Sequence, residues 1–367
     1  MIALNDFAGE PEELRVAQMA AVERVLRSGW YILGPEVSAF ESAWAARCGT
    51  AHAVGVGNGM DAIEIGLRAL GIGAGDEVIT TPMTAFATAL AILRAGAKPV
   101  LADIDPATAL LDPASVERCM GSRTKAVMPV HLYGRIGDMD AWSAWARSAG
   151  VALIEDCAQS HLAAWNGRPA GSFGRFGTYS FYPTKNLGAT GDAGALVTSD
   201  DTLAASARML RNYGQSTRYV HEVEGLNSRL DELQAALLRT KLDWIDAFTR
   251  RRREIASRYF SEIRNDRIRM LDAPAHEENH VYHLFVVTTP ERDALMAHLA
   301  DHGVQSLIHY PVPVHRQAPC EALRRDPRGL RHADAHAATC LSIPCHPQMP
   351  DADVGRVIDV MSAYGKR

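Results

Sequence analysis

A single lysine stands in a glycine-rich segment, "SFYPTKNLGATGDAGA", which covers residues 180–195. The glycines that follow it allow the backbone to approach another group closely. A lysine amine becomes nucleophilic when it is partly desolvated or lies near another cation. The segment therefore predicts that Lys185 is held in a loop and presented to a ligand, rather than lying on a solvated helix face.

Two carboxylates follow an apolar stretch in "VALIEDCAQSH", residues 151–161. The run from Val151 to Ile154 predicts a buried strand and places Glu155 and Asp156 at its carboxyl end. Ligands of open α/β sheets bind at that edge. A carboxylate in this place either caps a helix or stabilises a positive charge, such as a protonated ring nitrogen.

A third candidate site is the glycine segment "GVGNGMDAI", residues 55–63, which follows a predicted strand and opens a predicted helix. Backbone N–H groups at such a helix start bind phosphate. The spacing is G-x-G-x-G, and the acidic residues Asp76 and Glu77 precede the next strand, whereas the dinucleotide motif needs G-x-G-x-x-G and an acid at a strand end. The pattern favours a single phosphate over a dinucleotide, with a ligand-free turn as the alternative.

A phosphate loop, an aspartate at a strand end and a lysine in a glycine loop together match the three groups of pyridoxal phosphate (PLP). In PLP enzymes a lysine forms a Schiff base with the cofactor, and an aspartate pairs with the pyridinium nitrogen. We therefore predict PLP as the cofactor, bound by Lys185 and Asp156.

Long blocks of the sequence carry a family resemblance. They include "SGWYILGPEVSAFE", "VGNGMDAIEIGLRALGIGAGDEVI", "PVHLYGRIGDMDA", "IEDCAQSH", "SFYPTKNLGATGDAGALVTSD", "GLNSRLDELQAALLRTKLDWID", "IHYPVPVHRQ" and "LSIPCHPQM". The chain resembles the DegT/DnrJ/EryC1/StrS family of PLP-dependent nucleotide-sugar aminotransferases over nearly its whole length. The resemblance implies the α/β architecture of fold type I, and a homodimer with active sites at the subunit interface.

The resemblance also implies roles for individual residues. Lys185 and Asp156 are the catalytic pair, the backbone of Gly59 and Met60 and the Ser180 hydroxyl hold the phosphate, and Met60 replaces a threonine that is common in relatives. Gln159 is expected near the ring hydroxyl, and Phe86, next to the aligned Ala85, is expected to stack on the ring. Asn227 is expected to reach the phosphate of the neighbouring subunit's cofactor, and Arg229 either lies near the amino donor or the substrate or braces the interface. His309 and Tyr310 are expected beside the sugar.

The lysine loop "FYPTKNLGATGDAGA" is similar to that of relatives that act at C3 of nucleotide-linked 3-keto-6-deoxyhexoses. We therefore expect a dTDP-3-keto-6-deoxyhexose 3-aminotransferase that uses L-glutamate as amino donor. The alternatives are a UDP-linked 3-keto sugar, a C4 aminotransferase, and a non-catalytic binding or regulatory protein on the same scaffold. Dehydratases of the family carry histidine where this chain has Lys185, which argues against that chemistry.

Composition bounds the remaining possibilities. The 367 residues are 47% hydrophobic and 22% charged, and the net charge of −5 gives no broad attraction for nucleic acid. The six scattered cysteines form no metal-ligand pattern, and we expect no metal site; Cys340, Cys345 and His346 come nearest to one. Free thiols and the lack of a leader-like or membrane-spanning run predict a cytoplasmic protein without membrane contact.

Strand and helix patterns alternate from about residue 50, which predicts a mostly parallel central sheet flanked by helices. After two predicted helices the secondary-structure pattern changes, and residues 280–288 and 304–310 are both predicted as strands of a smaller C-terminal α+β unit. We place the boundary near residue 248, which gives a large PLP-binding domain over 1–248 and a small domain over 249–367. The basic run of residues 250–253 predicts a solvated helix face.

Overall fold

A seven-stranded sheet forms the centre of the protein in the computed structural model, which describes residues 1–366. The order of its strands is β1-β9-β8-β5-β4-β2-β3; the strands from β8 to β3 run parallel, and β9 is antiparallel to both of its neighbours. The strands of the chain are β1 His52–Val56, β2 Glu77–Thr80, β3 Lys98–Leu101, β4 Thr124–Met128, β5 Ala152–Asp156, β6 Ala164–Trp165, β7 Arg168–Pro169, β8 Phe176–Ser180, β9 Gly194–Thr198, β10 Gln215–Thr217, β11 Val220–His221, β12 Arg269–Met270, β13 Phe285–Thr288 and β14 Cys340–Ile343.

Helices cover both faces of this sheet. The helices are α1 Glu12–Ser28, α2 Pro35–Cys48, α3 Gly59–Ala69, α4 Phe86–Arg94, α5 Pro113–Cys119, α6 Met139–Ala149, α7 Asp201–Leu210, α8 Glu232–Leu242, α9 Ile245–Glu262, α10 Arg292–Asp301, α11 Arg331–Thr339 and α12 Asp351–Ala363. Several begin at a side-chain cap: the side-chain oxygen Oδ1 of Asn58 accepts the N–H of Asp61, and the Asp138 carboxylate accepts that of Ala141.

The central strands are apolar at consecutive positions because both of their faces are buried. Ile79 and Leu153 belong to one hydrophobic core, whereas their neighbours Val78 and Ile154 belong to a second core. Successive strand residues point to opposite faces, so the two cores lie on opposite sides of the sheet. The predicted α/β architecture with a mostly parallel, doubly covered sheet is confirmed.

The C-terminal part of the chain has its own sheet, β12-β13-β14, and its own core between that sheet and helices α9, α10 and α12. Helix α9 runs through residue 248 without a break, so the boundary that we placed there falls inside a helix. Other C-terminal residues, including Leu284 and Val314, share a core with Met83 and Leu132 from the first part. The division into domains 1–248 and 249–367 stays a prediction.

Two predicted strands differ in the structure. Residues 280–288 form a strand only over β13, because Tyr282 has a left-handed φ of 44° that bends the chain. Residues 304–310 form no strand, because Val304 pairs with Ile2 and Leu307 pairs with Ser342, which leaves two isolated bridges to different partners.

The basic run on α9 was predicted to be a solvated helix face, and this prediction is wrong at Arg252. Arg252 is only 6% exposed, and its guanidinium donates to the carbonyl oxygens of Tyr282, His283 and Cys345. Burial lowers the pKa of Arg252 to about 10. Arg252 therefore ties α9 to two C-terminal segments.

Candidate active site

The carboxyl edge of the central sheet carries a buried carboxylate at Asp156, the last residue of β5. Its Oδ2 accepts the Thr88 hydroxyl at 2.8 Å, and its Oδ1 accepts the N–H of Ala158 at 3.1 Å. The Thr84 and Thr88 hydroxyls are in turn 2.8 Å apart, at the start of α4. Because Thr88 gives its proton to Asp156, Thr84 is the donor between the two threonines, and this chain fixes the carboxylate.

Lys185 lies in the loop between β8 and β9, as the sequence predicted for a presented lysine. Two backbone hydrogen bonds hold the loop: the N–H of Lys185 donates to the carbonyl oxygen of Tyr182, and the N–H of Ala189 donates to that of Phe181. Gly188 is required there, since a Cβ would lie 2.3 Å from the Pro183 carbonyl oxygen. Burial lowers the pKa of Lys185 to about 8, and the opposing effect of Asp156, which raises the pKa, is smaller.

Three imidazoles near Lys185 stay neutral. Burial, with a further contribution from the charge of Lys185, lowers the pKa of His161 to about 3, that of His309 to about 4 and that of His283 well below its usual range. At neutral pH these histidines therefore do not compete with Lys185 for a proton. Lys185 is consequently the basic group of this cluster whose protonation changes near neutral pH.

His161 also has a defined orientation. Its Nε2 lies 2.9 Å from the Ser180 carbonyl oxygen, which can only accept, so Nε2 carries the proton. The buried Nδ1 has no hydrogen-bond partner within residues 1–366. The bond joins the segment after β5 to the end of β8, where Ser180 lies.

A cradle of backbone atoms lies at the other end of the site, where β1, β8 and β9 meet the start of α3. No hydrogen bond from the N–H of Gly59 or Met60 is found among the described residues, as expected for the first turn of a helix. A Cβ at Gly59 would lie 2.8 Å from Ser180 Cβ, and a Cβ at Gly194 would lie 2.3 Å from the Asn58 carbonyl carbon. The two glycines therefore allow the helix start, Ser180 and β9 to approach closely.

These residues fit PLP. The free N–H groups of Gly59 and Met60 beside the Ser180 hydroxyl suit a phosphate. The carboxylate of Asp156 suits a protonated ring nitrogen, and the amine of Lys185, with its lowered pKa, suits a carbonyl carbon. The three groups that the sequence suggested are brought to the same edge of the sheet by β1, β5 and β8.

Gln159 lies in a second network, which connects this edge to the C-terminal part. Its Oε1 accepts the N–H of Tyr133 at 2.6 Å, and its Nε2 donates to the Tyr310 hydroxyl at 3.0 Å. The Tyr133 hydroxyl donates to the carbonyl oxygen of His309 at 2.5 Å. Burial raises the pKa of Tyr310 to about 12, so its hydroxyl stays protonated. The predicted residues Gln159, His309 and Tyr310 are thus brought together.

The other three predicted residues, Phe86, Asn227 and Arg229, take no part in these two hydrogen-bond networks of residues 1–366. Phe86, the first residue of α4, is half-buried and packs on the core around Met83. Asn227 is exposed and pairs with Asn212, whose side-chain oxygen accepts from Arg229 at 3.1 Å. Within the described part of the chain, neither Asn227 nor Arg229 hydrogen-bonds to Lys185 or Asp156. Their roles, and stacking by Phe86, stay predictions.

Sequence reasoning missed Thr84, Thr88, Tyr133, His161 and His283. The two threonines are four residues apart at the start of α4, and this spacing, which places side chains on one helix face, is a usable signal. For Tyr133 and His283 the sequence carries no local signal, since their partners are distant in the chain.

Three buried side chains, His131, Glu155 and Cys157, have ligand-type atoms within 4.8 Å of one another. The Glu155 carboxylate already accepts the N–H groups of Gly171, Phe173 and Gly174 at 2.8–3.0 Å, and His131 Nε2 lies 3.1 Å from it. This carboxylate therefore anchors the loop before β8, and its oxygens are used for that purpose.

Comparison with known proteins identifies the family of the chain. A family model described as the DegT/DnrJ/EryC1/StrS aminotransferase family matches residues 12–362. The chain is 45% identical to a dTDP-3-amino-3,4,6-trideoxy-alpha-D-glucose transaminase of Streptomyces venezuelae, over 99% of this chain and 96% of the relative.

Solved structures agree as well. The crystal structure of S. venezuelae DesV matches with a TM-score of 0.96 and 44% identity, covering 100% of this chain and 99% of DesV. NtdA of Bacillus subtilis, solved with the bound cofactor PMP, matches with a TM-score of 0.88 and 28% identity over 96% of this chain and 82% of NtdA. The chain therefore belongs to the DegT/DnrJ/EryC1/StrS aminotransferase family and is a PLP-dependent aminotransferase.

Proposed function

We propose that the enzyme converts a dTDP-linked 3-keto-6-deoxyhexose to the 3-amino sugar, with L-glutamate as the amino donor. The observation that carries the chemistry is the Lys185 amine, whose pKa is lowered to about 8, at the sheet edge that also presents Asp156. The sugar class is supported by the 45% identity to a transaminase named for a dTDP-3-amino sugar. The lysine loop supports reaction at C3.

Bound PLP supplies an electron sink that stabilises negative charge on the carbon carrying the transferred amino group. Asp156 favours this function by holding a positive charge at the ring nitrogen, and Thr88 keeps its carboxylate in place. The amine of Lys185 moves the proton at the carbon that carries the amino group, first removing it from the donor and later returning one to the sugar carbon. Neutral His161, His283 and His309 do not add charge beside that amine.

The remaining predicted residues complete the proposed site. Gly59, Met60 and Ser180 hold the phosphate, and His309 and Tyr310 contact the sugar. Phe86 stacks on the cofactor ring, and Arg229 positions the donor or the substrate.

We further propose a homodimer, in which the exposed Asn227 reaches the phosphate of the neighbouring subunit's cofactor. Exposed apolar side chains on and after α1, among them Val16, Met19 and Trp30, support a subunit interface. Within residues 1–366, none of the helices has the length and apolar character needed to span a bilayer. A cytoplasmic location, suggested by the six free buried cysteines, is part of the same proposal.

The experiment that tests this function is a pair of half-reactions on the PLP-loaded protein. L-glutamate alone should release one 2-oxo acid per site, and a dTDP-linked 3-keto-6-deoxyhexose added afterwards should leave as the amino sugar. The UDP-linked 3-keto sugar and the corresponding 4-keto sugars are the alternatives to compare. If L-glutamate releases the 2-oxo acid but no nucleotide-linked keto sugar is converted, the sugar assignment is rejected and the assignment as an aminotransferase stands.

A further inference from the structure

Residues 304–310 approach the site without the support of a strand. The backbone of the segment pairs with β14 only at Leu307, through two hydrogen bonds to Ser342 of 2.8 and 3.2 Å. The His309 side chain adds one contact to the same strand, since its Nδ1 lies 2.9 Å from the Ser342 hydroxyl. Leu307 is 43% exposed, and Val312 on the other side of the His309–Tyr310 pair is 45% exposed. The position of His309 and Tyr310 therefore depends on side-chain anchors.

Tyr133 supplies one of these anchors and supports another. Its hydroxyl donates to the carbonyl oxygen of His309 at 2.5 Å, and its backbone N–H holds Gln159 at 2.6 Å. Gln159 in turn donates to the Tyr310 hydroxyl at 3.0 Å. One residue thus reaches both members of the His309–Tyr310 pair, directly and through one amide.

The proton count fixes the direction of the bonds around the Tyr133 hydroxyl. The hydroxyl has one proton, and the His309 carbonyl can only accept, so that proton goes to His309. His336 Nε2, at 2.9 Å, must then donate to the Tyr133 oxygen. Burial raises the pKa of Tyr133 well above its usual range and lowers that of His336 to about 4, so both remain neutral.

The backbone of Tyr133 is strained. Its φ and ψ are 62° and 1°, in the left-handed region that non-glycine residues seldom adopt. The side chain is nevertheless only 1% exposed and fully used in hydrogen bonds. Strain of this kind persists where the surrounding structure fixes it, and it concentrates at functional sites.

We propose that Tyr133, oriented by His336, is a positioning residue that holds the His309–Tyr310 pair against the nucleotide-sugar side of the site. The inference rests on the proposed function, since it assigns that pair to the sugar. Tyr133 touches neither Lys185 nor Asp156 through a hydrogen bond in the described chain. Its loss should therefore impair the sugar half-reaction and spare the reaction with the amino donor.

The test compares Tyr133→Phe with Tyr259→Phe, a matched control. Tyr259 is also fully buried, and its hydroxyl donates to the Pro344 carbonyl at 2.6 Å, in the C-terminal core. In Tyr133→Phe the backbone N–H to Gln159 remains, while the hydroxyl's bond to His309 and the bond that it accepts from His336 are lost. We expect a rise of roughly tenfold in the KM of the nucleotide-linked keto sugar, as from one lost buried hydrogen bond, with the L-glutamate half-reaction within about twofold of the parent.

A second readout needs no cofactor. Hydrogen–deuterium exchange of the PLP-free protein should show faster exchange in residues 305–312 for Tyr133→Phe and unchanged exchange there for Tyr259→Phe. If Tyr133→Phe does not fold, His336→Leu serves instead, because it removes the donor to the Tyr133 oxygen. It should raise the sugar KM and the exchange rate of residues 305–312 in the same way, by a smaller factor.

Unchanged sugar KM and unchanged exchange in Tyr133→Phe would overturn the inference, as would an equal loss in both half-reactions. A parent enzyme that turns over no nucleotide-linked keto sugar would instead reject the proposed function. The exchange data would still decide whether Tyr133 anchors the segment.

Discussion

The two ends of the site are built in different ways. The proposed phosphate end consists mainly of backbone, the first N–H groups of α3, together with one hydroxyl from Ser180. Gly59 and Gly194 allow the strands and the helix to approach closely there. The ring end consists of side chains, in which Thr88 fixes Asp156 and a long network joins Gln159 to the C-terminal part. Glycine spacing therefore sets the first end, and tertiary contacts set the second.

This difference separates binding from chemistry. A backbone cradle provides affinity through several N–H groups, and it is damaged by any added side-chain volume. A carboxylate and an amine held by neighbours provide reactivity, and they are damaged by loss of a single polar atom. Variants at the two ends should consequently change different measured quantities.

The largest effect is expected from Lys185→Ala at the ring end. Removing the amine removes proton transfer at the reacting carbon, and the rate of the L-glutamate half-reaction should fall by roughly a thousandfold or more. Lys98→Ala, at an exposed position at the start of β3, is the control. Stopped-flow measurement of both half-reactions checks this, and a Lys185→Ala rate near that of the control would contradict the role of Lys185.

At the phosphate end, Gly59→Ala should weaken the binding of PLP by roughly tenfold or more, because the new Cβ would lie 2.8 Å from Ser180 Cβ and displace the helix start. The rate at saturating PLP should change much less. Gly355→Ala in α12 is the control, since its nearest neighbour is the end of the flexible Arg258 side chain at 4.0 Å. Equilibrium titration with PLP measures the effect; unchanged affinity would show that this close approach does not shape the phosphate site.

Thr88→Ala should lower the rate and leave PLP affinity nearly unchanged, the opposite of Gly59→Ala, and its effect should be smaller. It deletes the 2.8 Å hydrogen bond to Asp156, and we expect the rate at saturating PLP to fall roughly fivefold to tenfold with PLP affinity nearly unchanged. Thr240→Ala removes a hydroxyl that bonds within α8 and serves as control. A loss of affinity in place of rate would mean that the two ends are not separable.

The smallest change concerns pH. An amine reacts with an acylating reagent only in its neutral form. Burial lowers the pKa of Lys185 from 10.5 to about 8, so in the PLP-free protein the labelling of Lys185 should rise through about pH 8. Asp156 raises this pKa, so Asp156→Asn should move the midpoint to lower pH. Peptide mass spectrometry after labelling reads both midpoints. A midpoint near that of a free lysine would refute the desolvated environment.

The same contrast explains what the sequence predicted. Asp156 and Ser180 end their strands, and Gly59 and Lys185 follow the carboxyl ends of β1 and β8. Parallel topology brings such ends to one edge of the sheet, so local patterns were sufficient to predict that these residues lie at the same edge. The burial of both faces of the sheet also followed from the runs of apolar residues in the strands.

Contacts between distant segments could not be predicted in this way. Thr88 lies 68 positions from Asp156, and Tyr133 lies 176 positions from His309. The segment 304–310 was predicted as a strand from its sequence, yet it divides its pairing between Ile2 and Ser342. Arg252 stands in a basic run, yet three backbone carbonyls from elsewhere in the fold bury it.

The central claim is that Lys185 binds PLP and carries out the first half-reaction, and the absorbance spectrum of the PLP-loaded protein tests it most directly. A Schiff base between lysine and PLP absorbs in the visible range. We predict a visible band that gives way to a near-ultraviolet band when L-glutamate is added, with release of the 2-oxo acid, and no such band in Lys185→Ala. A parent protein without the visible band, or with a band that L-glutamate leaves unchanged, would contradict the account.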